Sequence, residues 1–184
     1  FVFCCFNNNY KITPQVFDIW MRLLKRVKNS VLWILSEDVN ISKNLKKEAT
    51  LRGVDFNRIV FAEKIKMNEH LARQKVADLF IDTFPYTAHT TASDALWVGL
   101  PVLTRIGKSF ASRVSASLLN AIDLPELVTS SEKEYEDLAV ELATNSEKLK
   151  EIKNKLKNNR NTKPLFNTQI FARNIEKAYS LMYE

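Results

Sequence analysis

The sequence predicts a doubly wound α/β fold, a parallel sheet covered on both faces, and three observations carry that expectation. Short apolar runs recur along the chain, as in FVFCCF and VLWIL. Longer stretches with helical apolar spacing separate them, and within each run apolar residues follow one another without alternating. A strand with one wet face alternates apolar and polar residues, whereas a strand buried on both faces does not, so the third observation favours parallel strands.

The elements follow in order. Residues 1–6 read as the first strand. A helix over 14–27 starts with Thr13 as N-cap and Pro14 in the first turn, and it sets Val16, Ile19, Trp20, Leu23, Leu24 and Val27 on one stripe. Residues 31–35 give a second strand, 41–52 a helix, 58–62 a third strand and 68–77 a helix. A buried strand over 76–81 leads into a helix over 91–98, with Ala95, Leu96 and Val98 as its apolar positions. Gly99 ends that helix and Pro101 prevents its continuation. A short strand at 102–104, a helix at 109–121, an extended piece at 127–129 and three closing helices complete the chain.

At 184 residues this is one domain, or one compact half of a larger enzyme, and it is long enough to bury a full core. The chain starts inside an apolar run, with neither an initiator Met nor a basic region before it. That start suggests a fragment of a longer protein whose residues 1–184 form a single lobe. Hydrophobic content of 46% is globular. No apolar run approaches the roughly 18 residues of a membrane span, so no membrane partner is expected. Cys4 and Cys5 are adjacent and point to opposite faces of a strand, and no further cysteine exists to complete a disulfide framework or a zinc set. Buried free thiols in a reducing cytoplasm are the expectation.

Lys and Arg outnumber Asp and Glu by 27 to 21, a net charge of +6. Much of the excess falls between Lys148 and Lys163, on a segment whose Leu149, Ile152 and Leu156 still mark a buried stripe. Such a run reads as a solvated helix face. Without interleaved aromatics to stack bases, it does not suggest nucleic acid.

The most informative stretch is DTFPYTAHTTASDALWVGLP at residues 82–101. It puts His89, Thr90 and Thr91 at a helix start, where free N–H groups and the positive end of the dipole stabilise an anion, and hydroxyls and an imidazole can add hydrogen bonds to phosphate. Asp94, three residues after Thr91, shares its face and can accept from paired hydroxyls such as those of a ribose. The plainer alternative is that Thr90 or Thr91 only caps the helix and Asp94 is only a favourable first-turn acid.

A doubly wound sheet gathers the loops at its strands' carboxyl ends. Residues 7–11 bring Lys11 and the amides of Asn7, Asn8 and Asn9, residues 63–67 form a second polar loop, and His70 and Arg73 project from one face of the helix that follows. Taken singly, Lys11 reads as a solvated lysine and Arg73 as a salt-bridge partner on its helix. Their convergence on one sheet edge points instead to a binding site. No HxxxH pair or Asp-x-Asp spacing suggests a metal. With only Gly53, Gly99 and Gly107 available, neither GxGxxG nor a Walker loop can be built, and no GxSxG elbow occurs. A nucleotide held without glycines fits best.

Several motifs in the right order extend this reading. FNNNYKITP at 6–14, RIVF at 58–61, EHLAR at 69–73 and the whole of 77–104 resemble the C-terminal catalytic lobe of the O-linked N-acetylglucosamine transferase family, as do SFASRVSASLL at 109–119, EYEDLAVELATN at 134–145 and PLFNT at 164–168. Members of that family commonly carry tetratricopeptide repeats upstream. The resemblance implies a B-type glycosyltransferase of two facing Rossmann-like lobes, this chain being the lobe that binds the nucleotide sugar.

By the same resemblance, Lys11 neutralises the diphosphate with Asn8 near it, His89, Thr90 and Thr91 hold the phosphates, and Asp94 holds the ribose. The backbone of Ile65 and the side chains of His70 and Arg73 frame the uracil and ribose. The implied chemistry is transfer of N-acetylglucosamine or glucose from UDP to a Ser or Thr hydroxyl of a protein with inversion, helped by charge stabilisation of the departing diphosphate and needing no metal or other cofactor.

Two positions depart from the animal enzymes of that family. Met67 stands where they have a lysine near the phosphates, which throws more of that charge on Lys11, and Tyr86 replaces a small residue near the sugar. The acceptor-binding lobe lies outside this sequence, so the chain alone is expected to be inactive. A nucleotide-binding or scaffold module without catalysis, and a relative using a GDP-sugar, are the competing readings.

Overall fold

A computed structural model describes all 184 residues. Six parallel strands form one sheet in the order β3-β2-β1-β4-β5-β6. The strands are β1 (Val2–Cys5), β2 (Val31–Leu35), β3 (Ile59–Ala62), β4 (Leu79–Ile81), β5 (Val102–Arg105) and β6 (Val128–Thr129). Register pairs Phe3 with Leu32 on one side and with Leu79 on the other. The order reverses between β1 and β4, so the loops leaving these two neighbours run to opposite sides of the sheet and open a crevice at their carboxyl ends.

Central strands are covered on both faces, which is why their sequences do not alternate. Phe3, Cys4 and Cys5 in β1 and Leu79, Phe80 and Ile81 in β4 are all buried, whereas in β2 Leu32 and Ile34 are buried and Trp33 and Leu35 only partly so. A single cluster of 40 buried residues runs from β1 through the helices to Leu156, so the chain has one core. Cys4 and Cys5 are free, inert thiols within it, their pKa values pushed up chiefly by burial.

The helices are α1 (Pro14–Arg26), α2 (Val39–Leu51), α3 (Met67–Gln74), α4 (Thr90–Val98), α5 (Val114–Ala121), α6 (Glu132–Thr144), α7 (Ser146–Thr162) and α8 (Thr168–Tyr183). The Thr13 hydroxyl accepts from Val16 N at 3.2 Å, the cap the sequence predicts, and Pro14 occupies the first turn. Gly99 closes α4 in the left-handed region at φ 90°, where a Cβ would be strained. The basic residues of α7, and Lys163 just after it, are less free than a solvated face suggests, because Lys148, Lys153, Lys155 and Lys163 pair with Glu141, Asp78, Glu126 and Asp123. No residue of α8 is buried. No helix is long and apolar enough to cross a membrane.

Two expected elements differ. The strand expected over 76–81 begins only at Leu79, and Val76 is 68% exposed. After α3 the N–H groups of Lys75, Val76 and Ala77 each bond three residues back, and this tight turn consumes the residues that apolar character alone assigned to the strand. The helix expected over 109–121 is broken into a 3-10 turn, Phe110–Ser112, and α5. Its Ala111 carbonyl points away from any helix ladder and accepts from both Thr87 N and Thr87 Oγ1, at 3.0 and 2.8 Å.

Candidate functional site

Asp82 organises the crevice. It follows β4 directly, is fully buried, and accepts at Oδ1 from Asn7 Nδ2, Thr83 N and Ala88 N at 3.0, 2.8 and 2.7 Å, and at Oδ2 from Thr104 Oγ1 at 2.7 Å. Burial raises its pKa, and the donors from Thr104, Ala88 and Asn7 act against that rise. One carboxylate thus ties the end of β1, the end of β5 and both ends of the loop joining β4 to α4. Beneath it the Tyr135 hydroxyl of α6 donates to Asp82 O at 2.9 Å, and Trp20 Nε1 of α1 donates to that hydroxyl at 3.3 Å.

Asn7 carries the connection onward. Its amide also donates to Thr83 Oγ1 at 2.8 Å, and its Oδ1 accepts from the Thr91 hydroxyl at the start of α4. The three consecutive asparagines are therefore unequal. Asn7 is buried and fully engaged, whereas Asn8 is exposed and its side chain caps nothing.

His89, not a threonine, is the N-cap of α4, and its side chain makes no cap bond. The plain reading of Thr90 or Thr91 as a cap is thereby corrected: both lie in the first turn of the helix. The N–H groups of Thr90 and Thr91 bond to nothing in the chain. Thr90 is exposed, and His89 is half-buried with Nε2 3.5 Å from Ala111 O. Such a helix start presents free donors and a positive dipole end to an anion. Asp94, one turn on, is half-buried, and burial raises its pKa with no neighbouring charge or hydrogen bond to counter it.

Lys11 reaches from the loop after β1 to the loop before α4. Its Nζ donates to Thr87 O at 3.0 Å and lies 3.8 Å from the centre of the Tyr86 ring. Burial lowers its pKa, and the charge of Asp82 offsets part of that. The Tyr86 ring in turn leans on His89 at 5.2 Å and on Tyr10 at 6.2 Å.

His70 and Arg73 meet as their spacing predicts, with Arg73 Nε donating to His70 Nδ1 at 3.0 Å. Burial and then the Arg73 charge push the His70 pKa below 6.5. Arg73 also donates to Glu63 O at 2.6 Å and lies over the Phe6 and Trp33 rings, so it fastens the loop that carries Ile65. Ile65 is 40% exposed, in the loop that leaves β3. No group of three or more His, Cys, Asp or Glu side chains is placed to hold a metal ion.

The residues picked from sequence thus lie at the carboxyl edge of β1, β3 and β4. Asn7 was read only as an amide offered to a ligand, whereas it is spent on Asp82, Thr83 and Thr91; Asp82, Tyr135 and the bracing carbonyl of Ala111 were not singled out. Of these only Asp82 left a signal, an acid directly after an apolar strand.

The sheet order and this edge define a Rossmann-like lobe with an anion-receptive helix start at its switch point. Residues 1–175 match glycosyl transferase family 41, and the chain belongs to that family. It is 37% identical over 184 residues to an Arabidopsis thaliana protein named "Probable UDP-N-acetylglucosamine--peptide N-acetylglucosaminyltransferase SEC", covering all of this chain and 19% of that one. It is 36% identical to the UDP-N-acetylglucosamine--peptide N-acetylglucosaminyltransferase of Caenorhabditis elegans, of which it covers 16%. Among solved structures, a lysine-to-methionine variant of the O-GlcNAc transferase of Thermobaculum terrenum superposes with a TM-score of 0.93 at 30% identity, over 99% of this chain and 36% of that one. The chain therefore spans about a fifth of the curated relatives and about a third of the solved one.

Proposed function

We propose that this chain is the nucleotide-sugar-binding lobe of an inverting glycosyltransferase that moves N-acetylglucosamine from UDP to a Ser or Thr hydroxyl of a protein. The observation that carries the proposal is membership of glycosyl transferase family 41 over residues 1–175, joined to free N–H groups at the start of α4 and to Lys11, whose ammonium is bonded to Thr87 O in the loop leading into that helix. The relatives named above are peptide N-acetylglucosaminyltransferases, which supports the donor and a protein acceptor.

In this reading the acceptor hydroxyl oxygen bonds to the sugar's C1 as the C1–O bond to UDP breaks, the electron pair leaves with the diphosphate, and the hydroxyl proton passes to a base outside this chain. The groups of this chain act on that departing charge. Lys11 supplies a cation, the N–H groups of Thr90 and Thr91 supply oriented donors, and His89 adds its ring, so the diphosphate is met without a metal ion. Asn8 lies beside Lys11 on the same loop. Asp94, with acceptor capacity unspent, takes the ribose hydroxyls, while the Ile65 backbone, held through Arg73 and Glu63 O, and His70 take the uracil side. The acceptor is bound and selected by parts of a longer protein. Buried free thiols at Cys4 and Cys5 suit a reducing cytoplasm.

Titration calorimetry on the purified chain tests the donor. UDP should bind more tightly than GDP, and EDTA should leave its affinity unchanged. Equal affinity for the two nucleotides, or a preference for GDP, removes the donor assignment, and loss of UDP binding in EDTA removes the metal-free site.

A further inference from the structure

We propose that Tyr86 is a positioning residue for Lys11, its ring face and the Thr87 carbonyl together holding the ammonium at the lip of the crevice before the diphosphate arrives. The inference rests on the nucleotide reading above and goes beyond it, because it gives an exposed aromatic ring a defined task.

A lysine carries four rotatable bonds and a strongly hydrated charge, so its ammonium takes one place only where partners hold it. Here the partners are a carbonyl oxygen at 3.0 Å and an aromatic face at 3.8 Å, and a ring quadrupole attracts a cation at that range, more so where water is partly excluded. Tyr86 is 39% exposed and no hydrogen bond is made by its hydroxyl, so neither core packing nor a phenol contact accounts for it.

The backbone from Tyr86 to Ala88, by contrast, is fastened at four points. Tyr86 O accepts from Thr83 Oγ1 at 2.7 Å, Thr87 N bonds to Ala111 O, Ala88 N bonds to Asp82, and Ala88 O accepts from Ser115 Oγ at 2.6 Å. The loop that fixes the ring is also the loop that ends in the free N–H groups of α4. The cation and the helix start are thus set relative to each other by one rigid segment, and a diphosphate bridging them meets both without either having to be ordered on binding.

A double-mutant cycle on the purified chain, titrated with UDP and with uridine, tests this. Tyr86→Leu should weaken UDP about 3- to 10-fold and leave uridine unchanged, since only the diphosphate meets Lys11. Tyr86→Phe, which keeps the ring face, should restore wild-type UDP affinity, and Tyr86→Leu should cost nothing further in a Lys11→Ala background. Unchanged or tighter UDP binding in Tyr86→Leu overturns the inference, the latter because the ring would then be parking Lys11 away from the ligand. The same loss in the Lys11→Ala background, or failure of Tyr86→Phe to rescue, overturns it as well. A wild-type chain that binds no UDP overturns the nucleotide reading and this inference together, which separates that failure from the others.

Discussion

Arg73 donates to His70 Nδ1 and to the Glu63 carbonyl, so it is the imidazole's second nitrogen that stays available. The two guanidinium nitrogens directed at His70 Nδ1 require that nitrogen to be the acceptor, so the ring is neutral with its proton on Nε2. Burial and the Arg73 charge hold the folded pKa below 6.5. Between those values the unfolded chain binds more protons than the folded one, so stability rises with pH across the window. The contribution is complete above about pH 6.5 and is lost as pH falls toward the folded pKa. Urea midpoints at about pH 7.5 and about pH 5 should drop more for the wild type than for His70→Gln, which cannot titrate. Equal drops would mean that His70 is protonated in the folded state and that the Arg73 contact does not set its charge.

Among the elements, the loop from β4 to α4 shows most clearly what composition can and cannot announce. The polar cluster before an apolar helical stretch was readable as a helix start, and Gly99 and Pro101 fixed its end. That His89 would be the N-cap was not readable, because the choice depends on Asp82 capturing the N–H of Ala88 and on Asn7 capturing the Thr91 hydroxyl, two contacts that span 6 and 84 residues. The break in the helix expected over 109–121 has the same origin, since it is Thr87, distant in sequence, that claims the Ala111 carbonyl.

These contacts separate two neighbouring threonines that look alike in sequence. Thr91→Ala removes a donor from the buried Asn7 and should cost about 1 to 2 kcal/mol of stability. Thr90→Ala removes an exposed hydroxyl with no partner and should stay within about 0.5 kcal/mol of wild type while weakening UDP. Chemical denaturation with and without UDP reads both effects. Equal destabilisation by the two variants would sink the assignment of His89 as the cap, and unaltered UDP affinity in Thr90→Ala would take the Thr90 hydroxyl out of the phosphate site and leave only its N–H there.

On the scale of the whole molecule, the parallel sheet, its strand sequence and its helices were legible because a core covered on both faces imposes unalternated apolar strands and striped helices along the entire chain. The site was legible as a set of loops sharing one edge. Its internal wiring was not, for it runs through buried polar groups whose partners topology alone brings close. In the proposed reading every group along that edge, from Lys11 to Asp94, is assigned to the departing nucleotide, and none to the acceptor hydroxyl. The chain also covers only 36% of the solved relative it superposes on. The purified 184 residues should therefore bind UDP yet transfer no sugar from UDP-N-acetylglucosamine to a serine-bearing peptide, as read by mass spectrometry of the peptide over hours. Sustained transfer would show that the acceptor and its base are bound by this lobe itself, and the division of labour between two facing lobes would have to be abandoned.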